Sequence, residues 1–335
     1  MKDKVYLVIT SIAAPNEILQ NLAAGCAERE YHFIVIGDEP SPSDFHIDDC
    51  EFYDLQRQSQ TGLRFAHACP TNHYARKNIG YLLAMCDDAS LIVETDDDNI
   101  PYDSFWTERQ RQQKVQTVEN AGWTNIYSYF SDKKIWPRGF PLDKLQSRVL
   151  PYESLTVADV DCPIQQGLAD DDPDVDAVYR LTLPLPQTFR KNRRIALTAG
   201  SRCPFNSQNT TWWPDAFPLL YLPSICSFRT TDIWRSFIAQ KIAHLNDWAI
   251  LFHEPTMTQR RNAHNLLQDF EDEIPGYLHN SEICQALDTL PLQPGPEKIA
   301  DNLRACYEKL VSMSLLDPEE LYLLDAWLDD IDQLQ

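Results

Sequence analysis

Residues 90–101 read SLIVETDDDNIP, and this stretch decides the fold. The apolar run Leu91-Ile92-Val93 stops at three consecutive aspartates, Asp96, Asp97 and Asp98. A short apolar run with an abrupt polar stop predicts a fully buried strand. In open α/β sheets the carboxyl ends of such strands border the ligand crevice. On extended backbone Asp96 and Asp98 point to one side and Asp97 to the other. Two hard oxygen ligands converging beside a crevice suit Mn²⁺ or Mg²⁺ carrying a diphosphate. A solvated turn at a strand end would use the same residues.

Outward from this strand the pattern alternates. Val5-Tyr6-Leu7-Val8-Ile9-Thr10 reads as a buried strand, NEILQNLAAGCAERE (residues 16–30) as a helix, and Phe33-Ile34-Val35-Ile36 as a second strand. That is a β-α-β unit, which implies parallel pairing. Glu51-Phe52-Tyr53-Asp54-Leu55 is a further short strand. Asn72 caps a helix running to about Met85, whose buried stripe is Ile79, Leu82, Leu83 and Cys86. Lys77 falls on another face and is expected to be solvated. The middle of the chain predicts short strands at Ile126–Tyr129 and Val178–Leu181 among long loops. Residues 228–244 read as a helix, and Leu251-Phe252 would close the sheet. Helices are expected over 260–273, 296–313 and 317–333, with the linker LPLQPGPE at 290–297.

Composition narrows the function. The chain has 335 residues, 43% hydrophobic, enough for one large domain with an appendage. Its formal charge of −21 repels nucleic acid. The same charge repels any anionic sugar nucleotide unless a metal and local Arg or Lys invert the field at the site. Nine cysteines without a C-x-x-C pair argue against a disulfide framework and a zinc site, and predict a cytoplasmic chain. No apolar run reaches membrane length, which leaves room only for peripheral membrane or complex association.

Seven ordered blocks carry a family resemblance. They are ARKNIGYLLA, IVETDDDNIP, RGFPLD, IQQGLADDDPDVDAVYRLT, CPFNSQNT, LYLPS and TQRRNAHNL. Together they resemble the STELLO-type glycosyltransferases of animals and plants and, more distantly, the reversibly glycosylated polypeptides, the plant UDP-arabinopyranose mutases. The blocks run collinearly from residue 5 to about 277, and the helices beyond about 280 lie outside them. The resemblance implies a GT-A type fold: a Rossmann-like, nucleotide-binding α/β mixed sheet over residues 1–278, followed by a C-terminal helical extension over 279–335. It further implies a nucleotide-sugar donor, a divalent cation, and a glycan or glycolipid acceptor.

On this resemblance Asp96 and Asp98 hold the cation, with His264 as third ligand and His253 as the alternative. Thr10, Ser11 and Asp38 end the first two strands, where the nucleoside would lie. Arg76 and Asn78 precede the acidic strand and would meet the donor's phosphates, base or sugar. Asp97 would bind sugar or backbone groups, and Arg260 and Arg261 would neutralise phosphate. Asp232, in RTTDIWR, would take the acceptor's proton, which makes the reaction inverting; helix capping explains an Asp there equally well. Asp170, Asp171 and Asp172 read as a solvated acidic loop, and Asp174 and Asp176 as structural or site residues. The leading expectation is a metal-dependent glycosyltransferase. The alternatives are a sugar-nucleotide mutase, weakened because RGFPLDKL has Asp143 and Lys144 where the mutases have their self-glycosylated Arg, and an inactive scaffold of a polysaccharide-synthesising complex.

Overall fold

The computed structural model describes residues 3–262 and 265–334. Its strands are β1 (Val5–Thr10), β2 (His32–Ile36), β3 (Glu51–Tyr53), β4 (Leu91–Thr95), β5 (Asn99–Pro101), β6 (Gln112–Val118), β7 (Gly122–Trp123), β8 (Thr156–Asp170), β9 (Arg194–Leu197), β10 (Ser201–Arg202), β11 (Asn209–Trp212) and β12 (Trp248–Gln259). The helices are α1 (Glu17–Arg29), α2 (Leu55–Ser59), α3 (Arg64–Ala68), α4 (Lys77–Cys86), α5 (Tyr127–Phe130), α6 (Ala177–Thr182), α7 (Thr231–Leu245), α8 (Leu266–Asp288), α9 (Ile299–Ser312) and α10 (Glu319–Asp332). Ten strands form one sheet in the order β3-β2-β1-β4-β11-β8-β6-β9-β12-β5. The pairings among β3, β2, β1 and β4 are parallel, and β11 then runs antiparallel to β4. This is the Rossmann-like half continued by a mixed sheet that a GT-A type fold requires. Its parallel strands carry continuous apolar runs because both faces are covered. β1 and β4 are buried almost throughout.

The helix expected from Asn72 to Met85 begins later. Asn72 has a left-handed backbone, a 3-10 turn spans Tyr74–Arg76, and α4 starts at Lys77. α4 is buried on nearly every face, Lys77, Asn78 and Gly80 included, while Cys86 in the expected stripe is exposed. Gly80 allows this approach: a Cβ there would stand 2.5 Å from Val8 Cγ1 and 3.1 Å from Ile36 Cγ1. Helix α7 is locked to the same face of the sheet, beside α4. Arg235 reaches both oxygens of Glu94 at 3.0 and 2.9 Å, and Trp212 Nε1 donates to Glu94 Oε1 at 2.8 Å. Glu94 and Arg235 are buried, so breaking one partner of this pair is costly.

Two expected strands are helices instead. Val178–Leu181 lies in α6, because Asp176 caps it by accepting from Tyr179 N at 2.7 Å; the cap outweighs the β-branched and aromatic pattern. Ile126–Tyr129 becomes the N-cap and first residues of the single-turn α5, with Tyr127, Tyr129 and Phe130 all buried. The expected boundary at 278/279 falls inside the unbroken α8. The extension also shares the main core: Leu303, Tyr307, Leu324 and Trp327 belong to the cluster that contains Val8 and Ile92. Glu320 of α10 pins the segment before α7 by accepting from Tyr221 Oη (2.5 Å) and Ile225 N (2.7 Å), and from Ser224 N at 3.0 Å. No helix among the described residues is long and apolar enough to cross a membrane.

Candidate functional site

A cavity of about 370 Å³ opens at the carboxyl ends of β1, β2 and β4. Thr10 and Ser11 continue β1 into its wall, Gly37 and Asp38 continue β2, and Asp96, Asp97 and Asp98 follow β4. The loop before β11 adds Asn206, Ser207 and Gln208, and the end of β12 adds Gln259, with Arg261 just beyond. Arg229 and Asp232 come from the start of α7, and Arg138 and Asp174 from the loops behind it. The exposed side chains of Ile12 and Phe228 also line it.

The three aspartates sit on a turn between β4 and β5, not on extended backbone. The Asn99 N–H closes the turn on Asp96 O at 3.4 Å. All three therefore line the same cavity, and the expected alternation of Asp97 away from its neighbours does not hold. Each carboxylate has its own anchor. Asp96 Oδ1 accepts from Tyr74 Oη at 2.9 Å and Lys77 Nζ at 3.3 Å. Asp97 accepts from Ser11 Oγ, and Asp98 takes the Gln259 amide on both oxygens at 3.1 Å. Burial raises the carboxyls of Asp96 and Asp97, and burial together with the charge of Asp96 pushes Asp98 up to about 7.

Several expected ligand contacts are redirected into structure. Arg76 is buried, with Nε on Gln58 Oε1 at 2.9 Å and Nη1 on the carbonyls of Cys69 and Pro70 at 2.9 and 3.3 Å. It touches the cavity wall with its guanidinium engaged elsewhere. Asn78 lies away from the cavity; its amide clasps Leu222, donating to O at 2.8 Å and accepting from N at 2.9 Å. Lys77, expected in solvent, is fully buried. Asp38 does face the cavity, and its oxygens also receive the backbone N–H groups of Asn72 (2.9 Å) and His73 (3.0 Å). Arg260 is exposed outside the cavity and contributes its N–H to Asp98 O at 2.9 Å. Arg261 lines the cavity and pairs with Asp269 at 2.9 Å. Burial, then the charges of Arg180 and Arg229, lowers the Arg261 guanidinium to about 10.

Asp232 is not the N-cap of α7, and both its oxygens are engaged in a buried ion pair. The N-cap position is Thr230, and Asp232 sits in the first turn. Both its oxygens serve Arg138, at 3.0 and 2.8 Å, and Oδ2 also accepts from Ser207 N at 3.2 Å. Arg138 reaches Asp174 at 2.8 and 2.9 Å in the same way, so one guanidinium bridges two buried carboxylates. Asp170, expected in a solvated loop, is buried and accepts from Phe189 N at 2.8 Å. His253 opens onto a second cavity lined by Arg109 and Arg194. Burial holds its imidazole down to about 4, and it is not a ligand for this turn. His264 lies outside the described residues. Among the described residues no group of three His, Cys, Asp or Glu side chains gathers closely enough to hold a metal ion.

The residues that pattern reading missed are Tyr74, Lys77, Ser207, Gln259 and Arg229. Ser207 was visible only as part of the CPFNSQNT block. Within the cavity lining, six carboxylates (Asp38, Asp96, Asp97, Asp98, Asp174, Asp232) face four guanidiniums (Arg76, Arg138, Arg229, Arg261). Lys77 adds a fifth cation behind Asp96. The chain's own side chains leave the site negative.

Residues 229–335 match the family model described as STELLO glycosyltransferases. The Arabidopsis thaliana protein described as probable glycosyltransferase STELLO2 is 27% identical over 271 residues, covering 75% of this chain and 35% of that protein. The protein described as probable glycosyltransferase STELLO1, also from Arabidopsis thaliana, is 28% identical over 256 residues, covering 71% and 33%. The chain therefore spans about a third of the length of the curated relatives it matches. Among solved structures, a mycobacterial protein aligns with a TM-score of 0.42 at 10% identity over 83% of this chain and 75% of that one. Glucosyl-3-phosphoglycerate synthase from Mycobacterium tuberculosis, solved with Mn²⁺, UDP-glucose and phosphoglyceric acid, aligns at 0.42 and 10% over 84% and 80%. At such scores the fold reading rests on strand order alone. The sequence resemblance to the STELLO glycosyltransferases is borne out by the family model and both relatives, and the model carries it through the C-terminal helices, past residue 277 where the block match stops.

Proposed function

We propose that this cavity binds the diphosphate of a nucleotide-sugar donor and that the chain transfers the sugar to a hydroxyl of a glycan or glycolipid acceptor. The observation that carries the reading is the acidic turn at the crevice end of β4, in a lining with more carboxylates than cations. A dianionic diphosphate in such a site gains from a cation beside it. Hard carboxylate oxygens fit Mn²⁺ or Mg²⁺. Asp96 and Asp98 would supply carboxylate oxygens to the ion. When bound it would supply charge to the departing nucleoside diphosphate.

The chain's own residues account for the remaining steps. Thr10, Ser11 and Asp38 border the space for the nucleoside. Gln259 and Ser11 fix the carboxylate rotamers of Asp98 and Asp97 through their hydrogen bonds. Arg261 and Arg229, each paired with a buried carboxylate, fix the wall formed by α7 and the end of β12. Inversion requires a carboxylate free to take the acceptor's proton. Asp232, with both oxygens on Arg138, does not meet that need, and the proposed transfer carries no stereochemical assignment.

Calorimetric titration with a panel of nucleoside diphosphates and sugar nucleotides, with and without Mn²⁺, tests the reading. Metal-dependent binding of one nucleotide, lost in Asp98→Asn, is expected. A folded protein that binds no member of the panel would return the scaffold alternative. Ring interconversion of a bound sugar nucleotide without transfer would return the mutase.

A further inference from the structure

We propose that Lys77 is a built-in cation of the acidic turn, a positioning residue that keeps Asp96 in place and competes with a metal ion for it. The inference rests on the donor-site reading above. Lys77 opens α4, and its side chain is fully buried. A buried ammonium requires partners, because leaving water is expensive. Nζ has four: Thr95 O at 2.6 Å, Tyr74 Oη at 2.9 Å, Asp96 Oδ1 at 3.3 Å and Ser207 O at 3.3 Å. These come from the end of β4, the 3-10 turn before α4, the acidic turn itself and the loop before β11. One charge therefore ties together the strand that ends in the turn and the loop that forms the opposite wall.

This placement has two electrostatic consequences of opposite sign. A cation held by the turn would lie within a few ångströms of Nζ, and like charges at that range repel strongly inside a protein. Lys77 therefore weakens the turn's affinity for a bare divalent ion. The same charge attracts a diphosphate, so some nucleotide affinity persists when no metal is present. A residue that only stabilised the fold would move both affinities in one direction.

The test uses the whole chain with Lys77→Met and, as a variant that keeps an amide donor in the cage, Lys77→Gln. Mn²⁺ alone is titrated first. The nucleoside diphosphate that wild type binds best, chosen from UDP, GDP, CDP and ADP, is then titrated in EDTA. The expected result is Mn²⁺ affinity raised about tenfold and metal-free nucleotide affinity lowered about tenfold. Parallel loss of both, or no change in either, overturns the proposal. Failure of both variants to fold overturns it as well, by assigning Lys77 to stability alone. If wild type binds no nucleotide, the donor reading falls, and the Mn²⁺ arm still decides the role of Lys77.

Discussion

Removing Arg138 should be among the most damaging single changes at this site, and its cost should depend on pH. The guanidinium makes four charge-assisted hydrogen bonds to Asp174 and Asp232 and a fifth to Arg229 O. The three side chains are 7%, 9% and 8% exposed, so solvent screens little of the interaction. Breaking one buried pair by deleting a partner costs about 3–5 kcal/mol. Arg138→Met leaves two carboxylates uncompensated, so a loss of about 4–6 kcal/mol is expected, below a simple doubling because Asp174 retains Asn206 and Asp232 retains Ser207.

Burial alone would raise the Asp174 carboxyl, but the charge and hydrogen bonds of Arg138 overrule it and hold the group below the ordinary carboxylate range. A depressed folded pKa contributes stability that is present above the unfolded value and is lost as pH falls through the folded value. In Arg138→Met that depression disappears and the Asp174 carboxylate protonates more readily. The stability gap between variant and wild type should therefore narrow as pH falls from 7 towards 4. Urea unfolding at several pH values, followed by tryptophan fluorescence, measures it. The Arg138→Met Asp232→Asn double variant should recover about 1–3 kcal/mol of the single loss, since it removes one stranded charge. A loss under about 1 kcal/mol, or a gap independent of pH, would refute the account.

Asp176 should give a pH dependence of opposite sense. Burial, with added repulsion from Glu273 and Asp174, pushes its carboxyl up to about 7, well above the unfolded value of about 3.9. The raised group favours the folded state most below the unfolded value, and that advantage declines as pH rises to about 7. Asp176→Asn keeps an acceptor for one of its two donors, Tyr179 N and Trp136 Nε1, and should flatten up to about 4 kcal/mol of that slope in thermal or urea melts between pH 4 and 7. Glu320→Ala strands three buried or half-buried donors and should cost about 3–5 kcal/mol while keeping a single unfolding transition. Separate melting of a C-terminal unit would contradict the shared core. Gly80→Ala should lower stability by about 1–3 kcal/mol, because its methyl group meets Val8; a neutral result would show that α4 can shift on β1.

Strand pattern made the parallel half legible because buried parallel strands are continuous apolar runs, and β1, β2 and β4 are such runs. Short aromatic segments deceived it. YSYF and AVYRLT have strand-like composition, yet a single turn around Tyr127 and the Asp176 cap make them helical. At the site, pattern identified the acidic turn and the ends of β1 and β2. It could not tell which polar side chains were already committed. Arg76, Asn78 and Lys77 are consecutive on one block of sequence, and all three point into protein, because α4 is covered on nearly every side. A helix with polar residues on one face is ordinarily solvated there. Here tertiary packing turns that face inward, and the polar groups become clasps: Arg76 on Gln58, Asn78 on Leu222, Lys77 on Asp96.

Charge follows the same logic. A chain of net charge −21 was expected to recruit local Arg and Lys to invert the field where an anion binds. Arginines are indeed concentrated there, and Arg261 is lowered to about 10 partly because Arg180 and Arg229 stand near it. Most of these cations arrive already paired: Arg138 with Asp174 and Asp232, Arg180 with Asp172, Arg229 with Glu273, Arg261 with Asp269. Paired guanidiniums fix the wall's geometry and neutralise one another's partners, so they leave little net field for a ligand. Beside the acidic turn, Lys77 is hydrogen-bonded to Asp96 and the charge of Arg261 acts on Asp98. The ion pairs thus shape the cavity, and under the proposed donor reading a divalent cation at the turn would add the attraction an anion needs.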